Sequence, residues 1–182
     1  MVIERSHIFD EVLSLCKESD SIVIPIPLNH RAHPSNYNLS GIYILLLNNM
    51  QKYYIPINHS EALMNFDFCK IHSLINNMND VYVIDSKEFK HIFGKIDVYD
   101  CNALSYHMYG KPLEKLTTSA HEQVYSMHWK RENLNNIVPI LKHLEYCDSM
   151  STSMIDVIDN SVISSKAYQK FNKTLLNNLF EI

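Results

Sequence analysis

Glycine is scarce in this sequence, with only Gly41, Gly94 and Gly110 among its 182 residues. An average protein contains about 7% glycine. The phosphate-binding motifs GxGxxG and GxxxxGK need closely spaced glycines, whereas these three are far apart in the chain. The scarcity therefore argues against enzymes that hold a nucleotide in a glycine-rich loop.

Long apolar runs and paired cysteines are also missing. No stretch reaches the roughly 18 apolar residues that a membrane-spanning helix needs, and the first residues contain no apolar segment typical of a secretory signal. Cys16, Cys69, Cys101 and Cys147 are scattered, without a CxxC pair. The sequence therefore predicts reduced, mostly buried thiols, a reducing compartment (cytoplasm or the interior of an organelle) and no membrane partner.

The remaining composition is typical of one folded protein without large disordered parts. Hydrophobic residues make up 46% of the chain and charged residues 20%, as in globular proteins. The chain has 16 Lys and Arg residues against 20 Asp and Glu residues, which gives a formal net charge of −4. This mild acidity argues against a chain-wide surface for polyanions but permits a local one.

The period of the apolar residues predicts a mixed α/β fold in which three strands precede alternating helices and strands. Ser6, Asp85 and Asp100 are placed to cap helices, and Gly94 and Gly110 to end them. The predicted elements are a helix at 7–18, strands at 21–27, 41–47 and 51–57, a helix at 66–77, a strand at 81–84, a helix ended by Gly94, a strand at 96–100 and a helix at 101–109. Helical pieces are predicted near 112–116, 119–130 and 132–147, followed by a connector at 149–162 and an amphipathic helix at about 163–180. The ribonuclease H-like fold, a mixed sheet flanked by helices, has this element order.

Several short motifs occur in one order along this pattern. After the first strand, Ile22–Pro27, comes Leu39–Ile44, in which a serine and a glycine precede apolar residues. Tyr53–His59 reads Tyr-Tyr-Ile-Pro-Ile-Asn-His, Asp85–Lys87 reads Asp-Ser-Lys, and Val98–Tyr106 begins Val-Tyr-Asp-Cys. In these motifs the chain resembles the 3′–5′ exonuclease domain of family A DNA polymerases, and most closely the inactive, vestigial version found in Bacillus-type enzymes.

The resemblance implies how the chain is divided. Residues 1–149 would form the exonuclease-like domain. Residues 150–182 would be a connector and an amphipathic helix similar to the one that opens the polymerase domain. A DNA polymerase domain or subunit is then the expected partner.

The resemblance also implies the loss of catalysis. Active members hold two divalent metals with four carboxylates, since these hard cations need oxygen ligands. Pro25 and Pro27 stand at the positions of the Asp and Glu on the first strand, Phe89 at that of the second-motif Asp, and Trp129 at that of the third. We therefore expect a noncatalytic scaffold that binds no metal and no small-molecule cofactor.

DNA is a second expected partner. The candidate contacts are basic residues near the end of the exonuclease-like region and on the final helix. They are Lys130, Arg131, Lys166, Lys170 and Lys173. The three lysines of the final helix form a stripe, which is also common on a helix face that only meets solvent.

Two alternatives stay open on the sequence alone. One is a stand-alone protein-interaction module that keeps the fold. The other is a metal-dependent nuclease with rearranged ligands, which would use Asp85, Glu88, Asp97 or Asp100. The pairs His30/His33 and His121/His128 are more simply explained as loop and helix-surface residues than as metal ligands.

Overall fold

Helices and strands alternate through the part of the chain that the computed structural model describes, residues 1–27, 39–113 and 140–161. The first elements are α1 (Ser6–Cys16), β1 (Ser21–Pro27), β2 (Leu39–Leu46), β3 (Lys52–Pro56) and α2 (Phe68–Asn76). They are followed by β4 (Val81–Val83), α3 (Ser86–Phe93), β5 (Tyr99–Asp100), α4 (Cys101–Tyr109) and α5 (Ile140–Ser161). The predicted order of helices and strands up to α4 is confirmed.

One mixed sheet contains five strands in the order β3-β2-β1-β4-β5. β2 runs antiparallel to both β1 and β3, as the sequence predicted. β4 runs parallel to β1 on the other side and pairs with β5, also in parallel. Beside β3, Val2 forms a parallel bridge with Tyr54.

Helices cover both faces of this sheet. The first core layer lies between the sheet and α1, α2 and α3, and it includes Val23, Ile44 and Phe89. The second core layer lies between the sheet and α4 and α5, and it includes Ile24 and Tyr43. Because both faces are buried, β1 and β2 are apolar along almost their whole length rather than alternating apolar with polar residues.

Helix ends follow the predicted capping chemistry in most cases. Asp85 and Asp100 cap α3 and α4 by accepting backbone amide hydrogens, and Gly94 and Gly110 follow these helices with φ of 82° and 69°. The capping role predicted for Ser6 is wrong. The helix α1 begins one residue earlier than expected, so Arg5 occupies the cap position without a side-chain hydrogen bond.

The connector predicted at 149–162 is also wrong as far as residue 161, because α5 runs from Ile140 to Ser161 without a break. The serines and threonine in this stretch suggested a non-helical segment. In the structure, the hydroxyls of Ser151 and Thr152 bond to the Asp148 carbonyl oxygen within the helix. Met150 and Met154 are buried in the second core layer, and this packing outweighs the weak helix propensity.

Other predictions concern residues outside the described ranges. These include the helical pieces between 114 and 139 and the final helix at 163–180. The predicted domain boundary at 149/150 falls inside α5, and the division into two domains stays a prediction. No helix in the described ranges, α5 included, is both long enough and apolar enough to cross a membrane.

Candidate functional site

The face of β1 that carries Pro25 is where the resemblance places the metal site of active family members. Val23 of this strand belongs to the first core layer. Side chains two residues apart in a strand share a face, so Pro25 is directed toward the same layer. Its partner across the β1–β2 ladder is Ile42, which is fully buried there. Pro27 ends the strand opposite Leu39, after a register shift.

Phe89 lies on the same side of the sheet. Its side chain is only 1% exposed and belongs to the first core layer. The ring packs 4.7 Å from that of Phe93, centroid to centroid. Of the positions that the resemblance assigns to metal-binding acids, Phe89 is thus buried in this apolar layer and Pro25 is directed toward it. Trp129, the fourth assigned position, lies outside the described residues.

Asp85 and Asp100 stand at the carboxyl ends of two neighbouring parallel strands, β4 and β5. Asp85 Oδ1 accepts the amide hydrogens of Lys87 and Glu88, at 2.9 and 3.2 Å. Asp100 accepts from Ala103 through Oδ1 and from Ser86 through Oδ2, both at 2.8 Å. The buried Asp100 carboxylate therefore caps its own helix, α4, and also holds the first residue of α3.

The electrostatics of Asp100 agree with this structural role. Burial raises the pKa of Asp100, while the hydrogen bonds from Ser86 and Ala103 act to lower it. The nearby charge of Asp85 adds to the upward shift. Both Asp100 oxygens are thus engaged by backbone amides in a site that desolvates the charge.

These capping bonds bear on the alternative of a nuclease with rearranged ligands. Asp85 and Asp100 are close enough for their charges to interact, but Asp85 Oδ1 and both oxygens of Asp100 accept helix amides. Nowhere in residues 1–27, 39–113 and 140–161 do three or more His, Cys, Asp or Glu side chains form a group that could hold a metal. This alternative has no supporting ligand cluster in the described part of the chain.

The predicted DNA contacts cannot be placed in the fold. They are Lys130, Arg131, Lys166, Lys170 and Lys173, and all lie outside the described residues. The same holds for the histidine pairs His30/His33 and His121/His128. DNA binding therefore stays a prediction from the sequence.

The thiol prediction is confirmed. All four cysteines are free, and only Cys69 is exposed. Burial raises the pKa of the Cys16 thiol to about 12, and it raises the pKa of Cys101 and Cys147 well above the usual value. A buried thiol that stays protonated is a poor nucleophile.

A buried aromatic cluster joins β3, the segment after it and α5. The Tyr54 hydroxyl lies 2.7 Å from His59 Nε2. The ring of His143 in α5 stacks on Tyr54 with a centroid distance of 6.2 Å and lies 5.5 Å from the ring of His59. Tyr54 and His143 are fully buried, and His59 is 2% exposed. We refer to Tyr54, His59 and His143 as the buried histidine cluster.

Sequence reasoning missed this cluster as a unit. In the sequence, His59 stands out only as the end of the Tyr-Ile-Pro motif. His143 carried one weak signal, its helical spacing with Ile140 and Cys147, which are also buried. The contact joins residues 84 positions apart (143 − 59), and no local pattern encodes such a pairing.

Glu61 links the buried histidine cluster to the start of α5. Its Oε1 accepts the amide hydrogen of Ile140, the first residue of α5, at 2.6 Å. The same oxygen lies 3.7 Å from His59 Nδ1. Burial lowers the pKa of His59 to about 4, and the charge of Glu61 opposes this shift only in part. His59 is therefore neutral at pH 7, although a carboxylate lies beside it.

Comparison with known proteins adds no family to this description. A scan against models of protein families finds no match, and neither does a search of curated proteins. The resemblance to family A exonuclease domains thus depends on the motifs and on the arrangement of elements described above.

Proposed function

We propose that this chain is a noncatalytic 3′–5′ exonuclease-like domain with a ribonuclease H-like fold, and that it serves as a scaffold for a family A DNA polymerase domain or subunit. The topology supports the proposed fold: three antiparallel strands come first, and parallel β4 and β5 then extend the sheet from β1. The alternation of helices and strands after β3 agrees with it as well.

One observation is the main support for proposing that the domain has lost catalysis. Within this topology, Pro25 is directed, like Val23, toward the sheet face that the first core layer covers, and Phe89 of α3 is buried in that layer. A two-metal nuclease needs carboxylate oxygens at these places to bind the cations and activate a water molecule. A proline ring and a phenyl ring offer no such ligand.

The carboxylates that do lie near the sheet edge have a different use. Asp85 and Asp100 bind the amides that begin α3 and α4. Such capping bonds stabilise a helix by about 1 kcal/mol each. Their arrangement favours a structural role over a catalytic one, as a scaffold requires.

The first experiment is a nuclease assay on single-stranded DNA labelled at its 5′ end, with Mg²⁺ or Mn²⁺ present. We expect no shortening of the DNA above the level of a protein-free sample. Turnover that EDTA abolishes would overturn the noncatalytic proposal.

A pair of variants makes this assay specific. Asp85→Asn removes a candidate ligand charge and keeps a capping oxygen, and Asp10→Asn makes the same change at an exposed position of α1. Activity that is lost in Asp85→Asn and kept in Asp10→Asn would establish the nuclease with rearranged ligands. Equal activity in both variants, sensitive to EDTA, would point to a metal site elsewhere in the chain and would equally refute the proposal.

The scaffold role has its own test. The full chain is mixed with a family A polymerase fragment that lacks its own exonuclease-like domain, and the mixture is separated by size-exclusion chromatography. We expect the two proteins to elute together. Separate elution at micromolar concentration would count against the scaffold and favour the stand-alone interaction module.

A further inference from the structure

Glu61 is held between two groups that compete for its carboxylate. One is the backbone amide of Ile140 at the start of α5, 2.6 Å from Oε1, and the other is the Nδ1 atom of His59, 3.7 Å from the same oxygen. In the structure, the amide of Ile140 donates the hydrogen bond to Glu61. In the described part of the chain, His59 Nδ1 is buried and makes none.

The arrangement favours one neutral tautomer of His59. A hydrogen on Nδ1 faces the Glu61 carboxylate favourably, whereas a lone pair there would face a negative charge. Nε2 is then the acceptor, and the Tyr54 hydroxyl donates to it over 2.7 Å. A second proton on the ring would therefore have to go to Nε2, where it would displace the Tyr54 hydrogen and place a full positive charge in the core.

We propose that His59, Glu61 and the first amide of α5 form an acid-sensitive switch, in which protonation of His59 draws Glu61 away from Ile140 and loosens the start of α5. The switch is independent of the proposed polymerase function. It requires a shift of the carboxylate by about 1 Å, from the present 3.7 Å separation to hydrogen-bond distance. Glu61 can make this shift because its side chain is about half exposed.

The described groups around His59 leave Glu61 as the only anionic partner at neutral pH. From β3, Tyr54 faces it through a hydroxyl whose pKa burial raises well above the usual value, so that it stays neutral. From α5, His143 packs against it, and Cys147 faces Tyr54 as a neutral thiol whose pKa burial also raises. Asn65 contacts its backbone and carries no charge.

The release of Ile140 has a physical consequence at the helix end. The first amides of a helix have no acceptor within the helix, and a carboxylate near them is favourable because it also meets the positive end of the helix dipole. When Glu61 turns to the protonated ring of His59, the hydrogen bond to Ile140 and the favourable interaction with the helix dipole both weaken. The lowered pKa of His59, about 4, agrees with a closed state that resists protonation and opens when protonation is forced.

Hydrogen exchange of backbone amides in the full chain tests the switch. Exchange is measured between pH 7 and 4.5 and corrected for its intrinsic pH dependence. We expect the protection of amides 140–145 to fall about tenfold per pH unit below pH 6, the slope for uptake of one proton. The amide of Ile44, at the centre of β2, exchanges only when the domain unfolds, so it should stay better protected than amides 140–145 at every pH in this range.

Three variants separate the switch from general acid sensitivity. His59→Gln cannot titrate and should change by less than about twofold over this range. Glu61→Gln keeps an oxygen for Ile140 but has no charge to attract an imidazolium, so its loss of protection should be at least about threefold smaller per pH unit. His7→Gln alters an exposed histidine of α1 and should behave like the unmodified chain.

The same measurements can overturn the proposal. An acid profile of His59→Gln equal to that of the unmodified chain would exclude His59 as the sensor. A Glu61→Gln profile equal to it would exclude the carboxylate exchange. Protection at the start of α5 equal to that at Ile44 throughout the range would mean that both exchange only when the whole domain unfolds, which would also refute a local switch.

Discussion

Replacing Gly41 with alanine should destabilise the protein because Tyr54 stands directly over this position. A Cβ atom at Gly41 would lie 2.7 Å or less from Oη, Cζ and Cε1 of Tyr54. Real carbon contacts of this kind are longer than 3.0 Å, so the ring would have to move. Tyr54 is fully buried, and its hydroxyl is fixed by the 2.7 Å contact with His59.

The size of the effect follows from these contacts. Overpacking a core usually costs about 1–3 kcal/mol. A shifted Tyr54 would also lose its hydrogen bond to His59, which contributes about 1 kcal/mol. We therefore expect Gly41→Ala to lower the free energy of unfolding by about 2–4 kcal/mol. Urea unfolding followed by circular dichroism measures this loss as a lower midpoint with an unchanged slope.

A double-mutant cycle isolates the clash from other effects of the new methyl group. Tyr54→Leu removes the ring atoms that lie over Gly41, and the alanine should then cost less than about 1 kcal/mol. If Gly41→Ala cost the same in both backgrounds, the effect would belong to the backbone and not to the ring. If it cost nothing in the unmodified chain, the close approach of Tyr54 to β2 would be refuted.

Three further predictions concern single residues, each measured by urea unfolding. The pKa of His59 is about 4 in the fold against about 6.5 in the unfolded chain, so the contribution of His59 to the free energy of unfolding should be constant above pH 6.5 and fall by about 3 kcal/mol toward pH 4. His59→Gln should abolish this pH-dependent contribution. The raised pKa of Asp100 acts in the opposite direction, but it cancels in the comparison because the variant and the unmodified chain both keep Asp100. Asp100→Ala should cost about 2–4 kcal/mol, because the amides of Ser86 and Ala103 lose their acceptor, and a loss below 1 kcal/mol would contradict the shared cap. Met50→Gly should stabilise the protein by about 0.5–1 kcal/mol. Met50 is exposed in the β2–β3 turn with φ of 59°, and glycine adopts this left-handed conformation without the strain that a side chain causes. A destabilised variant would contradict the left-handed geometry.

Local chemistry made much of the fold predictable from the sequence. The apolar runs of β1 and β2 and the turn between β2 and β3 are encoded by neighbouring residues, as are the caps at Asp85 and Asp100. The failures have separate physical causes. Ser6 has the right residue type for a cap, but the helix starts at Ser6 itself and Arg5 takes the cap position. The polar stretch after Cys147 is held helical by packing against a sheet whose strands are distant in sequence.

For the candidate site, the sequence predicted which residues could take part but not what their side chains bind. From the sequence, Asp85 and Asp100 are candidates both for helix caps and for ligands of a rearranged metal site. Whether they bind a metal or a helix depends on the direction of their oxygens, which the sequence does not encode. In the structure these oxygens accept backbone amides.

The two kinds of side chain near the sheet therefore both disfavour a bound metal, for different reasons. Pro25 and Phe89 belong to an apolar face in which a divalent cation would lose its hydration without gaining oxygen ligands. Asp100 is a ligand of the right chemistry, but its removal from the amides of α3 and α4 would leave buried donors without an acceptor, at about 1–3 kcal/mol each. A cation would have to overcome both costs to bind here, which is the physical reason to expect a scaffold rather than a nuclease.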